Sequence, residues 1–130
     1  MININIYSNS RYQVNRKFLK QKARFFLSTF ELDNVQVDVF IVGKRKIKTL
    51  NETYLKHEGI TDVLSFPQYE KDQVKNFPLP PNHPMHLGDV VVYFGEAVRV
   101  AKKSGKMVDE QIYFYLEHGL KHLLGFHHPE

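Results

Sequence analysis

Residues 2 to 6 alternate Ile2, Ile4 and Ile6 with asparagines, the period-two pattern of a strand with one buried face. From 11 to 27, Val14, Phe18, Leu19, Phe25, Phe26 and Leu27 recur among basic residues, which predicts an amphipathic helix. Val35, Val37, Val39 and Ile41 alternate again and predict a second strand, punctuated by Gly43. Ile47, Leu50, Tyr54 and Leu55 stand at helical spacing within 44 to 56. Thr61 to Phe66 reads as a short strand closed by Pro67, and Leu87 to Phe94 as a buried strand carrying Val90, Val91 and Val92 in a row. Residues 67 to 86 hold five of the six prolines and no period, so they predict a long loop, a kind that is usually functional or mobile. A short helix follows over 95 to 103. A final helix, capped by Asp109, runs to about Leu124 with Ile112, Leu116, Leu120 and Leu123 on its core stripe.

This order predicts an α+β fold of one domain, residues 1 to 130. Early strands separated by helices favour parallel crossovers, and the two adjacent late strands favour an antiparallel pair. The expected result is a mixed four-stranded sheet with helices packed on it. A chain of 130 residues, 42% hydrophobic and 13% aromatic, suits a single folded core. No apolar run approaches the length of a membrane span, and the N-terminus lacks the basic start and apolar core of a signal peptide. There is no cysteine, which excludes disulfides and thiolate ligands and fits a reducing cytosol. Any metal must sit on nitrogen and oxygen. The net charge is +4, concentrated at Arg11, Arg16, Lys17, Lys20, Lys22 and Arg24 and again at Lys44, Arg45, Lys46 and Lys48. Such patches attract polyanions, although either alone reads equally well as a solvated helix face.

Chemistry concentrates at the C-terminal end, where residues 118 to 128 read H-G-L-K-H-L-L-G-F-H-H. His118, His122, Gly125 and His128 fit the spacing H-x-x-x-H-x-x-G-x-x-H. The first two histidines lie on one helix face, and Gly125 supplies the left-handed turn that brings a third imidazole back. Three neutral imidazoles with one open position form a catalytic zinc arrangement, though imidazole also suits nickel, copper and iron. Either His127 or His128 could close the set; the spacing selects His128 and leaves His127 solvated or supporting. His57, His83 and His86 stand outside the pattern and read as surface histidines. Zinc peptidases of the H-E-x-x-H type place their glutamate base directly after the first histidine, and here that position is Gly119. A glycine inside a helix permits close packing of its backbone. Tyr115 fits either the core or a site wall.

Three segments, L-N-E-T-Y at 50 to 54 followed by T-D-V-L-S-F-P at 61 to 67, L-G-D-V-V-V at 87 to 92, and the histidine run, together resemble the YbeY family of metal-dependent endoribonucleases and rRNA maturation factors. The resemblance implies a zincin-like fold with the metal site on the last helix and zinc held by His118, His122 and His128. It implies a single-strand-specific endoribonuclease acting in 16S rRNA 3′-end maturation and ribosome quality control. Its expected partners are RNA and the small ribosomal subunit, in the cytoplasm and away from membranes. The chain departs from the family pattern at Leu55, where the family carries arginine, at His127 in place of aspartate, and at Lys121 in place of leucine.

For such an enzyme Lys56 and Lys121 would position phosphates. Asp89 would either orient a ligand histidine or serve as a turn residue. A ribosome-binding assembly factor with a structural metal is the second reading, motivated by Leu55. A metallopeptidase, motivated by the histidine spacing and opposed by Gly119, is a weaker third.

Overall fold

The computed structural model describes residues 1–32, 34–54, 61–68 and 84–125. The elements are β1 (Ile2–Ser8), α1 (Arg16–Ser28), β2 (Val35–Val42), α2 (Lys44–Tyr54), β3 (Val63–Pro67), β4 (Met85–Tyr93), α3 (Phe94–Ser104) and α4 (Val108–Leu123). The sheet order is β1-β2-β4-β3. β1, β2 and β4 run parallel and β3 pairs antiparallel with β4, so the expected mixed four-stranded α+β sheet is what forms.

Alternation does the sorting. Ile4, Ile6, Val35, Val37, Val39, Ile41, Val90 and Val92 point to one face and meet Leu19, Ala23 and Leu27 of α1 and Ile112, Leu116, Leu120 and Leu123 of α4. Each large apolar side chain so buried contributes roughly 1.5–3 kcal/mol. Among the described residues the opposite face is covered only in part. There Ile47 of α2 packs with Leu64 and Val91 in a separate, smaller cluster.

The boundaries differ from the periodicity for local reasons. α1 begins at Arg16 rather than near 11. Residues 9 to 12 form a turn closed by Tyr12 N–H donating to Asn9 O at 3.0 Å, and Asn15 then caps the helix by accepting from Phe18 N–H at 3.0 Å. Asp109 is not the cap of α4. The N-cap is Met107, without a side-chain hydrogen bond, and Asp109 instead accepts from Asn15 N–H at 2.9 Å, tying the start of α1 to that of α4. β4 starts at Met85, inside the stretch read as loop; the rest of that loop, 69 to 83, lies outside the described residues. Pro67 ends β3 as its last residue rather than stopping it beforehand, which an edge strand tolerates.

One irregularity shapes the open face. β2–β4 pairing jumps from Gln36↔His86 to Val37↔Gly88, so β4 carries Leu87 as an extra residue. A bulge shifts side-chain parity by one. Hence Leu87 and Val90 both enter the main core while His86 and Asp89 emerge together on the other face. Gly88 makes this possible. Its φ is 146°, and an added Cβ would strike the Phe66 carbonyl and stand 2.8 Å from Leu123 Cδ2.

Candidate metal centre

His118 and His122 lie one turn apart on α4, as their spacing requires, with ring centroids 4.8 Å apart and planes inclined by 30°. Both are half-buried. Their helix is held close to the sheet by Gly119, where an added Cβ would come within 2.6 Å of Val90 Cγ1 and 3.4 Å of Val63 Cγ2. The glycine between the two histidines is therefore a packing residue, and there is no space for a glutamate base at that position. Tyr115 is buried in the core, which resolves the choice its spacing left open.

The helix stops where expected. Leu124 is still right-handed, its N–H donating to Leu120 O at 3.1 Å. Gly125 follows at φ 90°, with its N–H on His122 O at 3.0 Å. This left-handed glycine ends the helix directly after the second histidine. His127 and His128 lie outside the described residues, as do Leu55, Lys56, His57 and His83. Two of the three proposed ligands are thus placed together on one helix face. Two imidazole nitrogens offer the donor chemistry of a zinc site, so the residues present fit such an ion.

Around them, Lys121 extends to Glu117, Nζ to Oε2 at 4.0 Å, in a pair one turn long on a partly exposed surface. Tyr113 shares its hydroxyl between Glu117 Oε1 and Lys22 O, each at 3.3 Å. Burial, reinforced by the Glu117 carboxylate, pushes the Tyr113 phenol well above its usual range. Glu117, the acid nearest in sequence to His118, is therefore engaged with Tyr113 and Lys121.

Asp89 meets a histidine outside α4. α4 packs on the face of Val90, whereas Asp89 emerges on the opposite face, where Asp89 Oδ1 lies 3.2 Å from His86 Nε2. That nitrogen is also 3.4 Å from Asp38 Oδ2, and Asp38 Oδ1 accepts from Asn5 Nδ2 at 3.0 Å and Gln36 Nε2 at 3.4 Å. Asp38, His86 and Asp89 offer ligand atoms within 4.8 Å of one another and could hold a metal ion. His86 Nε2 and Asp89 Oδ1 stand at ion-pair distance, yet among the described residues both are buried without a hydrogen-bond partner. His86 was read from sequence as a surface histidine, and Asp38 was not singled out. The strand alternation places Asp38 on the open face, but His86 joins it only through the bulge.

A family model described as Endoribonuclease YbeY matches residues 3–130. This chain belongs to the YbeY family. The Endoribonuclease YbeY of Dehalococcoides mccartyi strain CBDB1 is 34% identical over 135 residues, covering 99% of this chain and 81% of that protein. The Endoribonuclease YbeY of Aquifex aeolicus is also 34% identical, over 95% of this chain and 84% of its own length. That of Myxococcus xanthus is 40% identical over 112 residues, and the chain spans only 36% of it. A solution structure from Thermotoga maritima superimposes with a TM-score of 0.58 at 23% identity, covering 97% of this chain and 75% of the other, which is a likeness of fold. Among the described residues no helix is long and apolar enough to cross a membrane.

Proposed function

We propose that this chain is a single-strand-specific, metal-dependent endoribonuclease acting on the 3′ end of 16S rRNA and in ribosome quality control, in the cytoplasm and together with the small ribosomal subunit. The observation that carries the reading is the His118–His122 pair, 4.8 Å between rings on one helix face, in a chain matched along residues 3–130 by a family named for endoribonuclease activity. His118 and His122, with His128, would hold the ion, and zinc suits three imidazoles. When bound, it would supply Lewis acidity at the phosphodiester and make water a better nucleophile at neutral pH. Gly119 holds the helix at a fixed depth, so both imidazoles keep one orientation. Lys121, next to His122 in the chain, would meet phosphate once it leaves Glu117, and Lys56 is proposed for the same task.

The deciding measurement is cleavage of single-stranded and duplex RNA by the purified chain, with and without chelator, beside His118→Ala. Cleavage confined to single strands and lost in the variant is expected. Undiminished cleavage by the variant would remove the assignment. A second reading, a ribosome-binding assembly factor whose metal is structural, is favoured by Leu55 at the place of the family arginine. It predicts subunit binding that survives His118→Ala, with no RNA cleavage by wild type. A metallopeptidase is disfavoured because Gly119 has no room for the glutamate base.

A further inference from the structure

The open face of the sheet carries a cleft that the histidine centre does not use. Its volume is about 420 Å³, within the ~300–1,000 Å³ of small-ligand sites. Phe40, Tyr54 and Phe66 supply aromatic walls, Leu50 and Val91 an aliphatic floor, and Asp89 a carboxylate at one end. Tyr54 is 64% exposed, and its ring and that of Phe66 stand nearly perpendicular at 6.1 Å. Lys46 of α2 also lines the cleft, and Lys44, Arg45 and Lys48 are exposed elsewhere around the same helix.

We infer that this cleft stacks one unpaired nucleobase of a single-stranded RNA, with the adjoining phosphates lying along α2. The inference rests on the proposal that the chain handles RNA. Charge selects the occupant. Lys46 in the cleft and three more cations around the same end of α2, with no acid in its first turn, favour a polyanion, and exposed aromatic rings beside cations are how single strands are gripped. Asp89 and Asp38 would repel phosphate, so the backbone runs on the α2 side and the base points inward. The Asp89 carboxylate in the slot accepts hydrogen bonds from base N–H groups, the amino groups of cytosine, adenine and guanine and the N3–H of uracil alike. The site lies across the β3–β4 edge from α4, since Gly88 touches Leu123 on one side and Asp89 opens into the cleft on the other. A strand gripped here can continue around that edge toward His122.

The test uses the whole chain and cleavage-resistant 2′-O-methyl oligonucleotides bearing 2-aminopurine, whose fluorescence falls on stacking. Tyr54→Leu should weaken binding about tenfold and abolish the quenching, while Tyr54→Phe retains both. Lys46→Ala should lower the salt dependence by about one phosphate contact. His118→Ala should bind within about twofold of wild type, separating this grip from the cleavage centre. Tyr54→Leu binding and quenching like wild type would overturn the inference while leaving the nuclease assignment standing. Self-association lost in Tyr54→Leu and indifferent to RNA would overturn it in favour of a second copy as the occupant. RNA bound and quenched through Tyr54 by a wild type that does not cleave would support the cleft and sink the nuclease.

Discussion

Replacing Gly119 by alanine sets two effects against each other. In an exposed helix the change would gain about 1 kcal/mol of helix propensity. Here the new methyl would stand 2.6 Å from Val90 Cγ1 and 3.1 Å from its Cγ2. Val90 cannot yield cheaply. It is fully buried, branched at Cβ, and fixed in β4 between β2 and β3. Overpacking of this kind costs about 1–3 kcal/mol, and a contact this short belongs at or beyond the upper end. The expected net loss is about 1–2 kcal/mol, read as a lower midpoint in urea at unchanged slope, measured with chelator present so that metal binding does not contribute. Val90→Ala alone should cost about 2 kcal/mol through the cavity it leaves. The double variant should lose less than the two singles added, by about 1 kcal/mol, because each change relieves the other. A Gly119→Ala chain as stable as wild type, or additive losses in the cycle, would show that the helix does not depend on this contact. The same substitution should slow RNA cleavage, since it lifts the turn that joins His118 to His122.

Gly88→Ala should cost roughly 3 kcal/mol or more, since it combines a φ of 146° with a Cβ against the Phe66 carbonyl; near-native thermal stability would contradict the account of the bulge. The raised Tyr113 phenol contributes stability that is complete below pH ~10 and lost as pH rises toward its folded value, so unfolding free energy should fall in that alkaline range and fall less steeply in Tyr113→Phe. Equal alkaline slopes for the two chains would rule this out. Adding zinc to chelated protein should slow amide exchange around residues 120 to 125 before anywhere else, and His122→Ala should erase that gain; uniform protection through α4 would place the ion elsewhere.

The alternating isoleucines and valines of β1 and β2 stated both strand and buried face, because each has one wet side. α4 was legible for the same reason at a different period, down to the glycine between its histidines. The reading failed where local geometry departs from period. An extra residue at Leu87 reverses the parity of β4, and three consecutive valines after it conceal which way each points, so the meeting of His86 with Asp38 and Asp89 had no sequence signal. Asn15 caps α1 from within a run whose basic residues continue on both sides, and the turn at 9 to 12 consumed residues that looked helical. Asp109 has the chemistry of a cap but spends it on a neighbouring helix.

The strand order carries a consequence for synthesis. β4 is the last strand to be made, yet it lies between β2 and β3. After β2 is complete, the edge formed by Val35–Val42 waits for its partner until residue 93 has emerged, roughly 3–10 s at ordinary elongation speeds. During that interval β1, α1 and β2 can pair among themselves, but β3 has no neighbour and the apolar side of the growing sheet lacks α4. The nascent chain thus carries an unpaired, valine-rich edge while some fifty further residues are made, the state in which strands are captured by other chains. Closure comes in one late step, when β4 enters and draws the histidine helix over the core behind it.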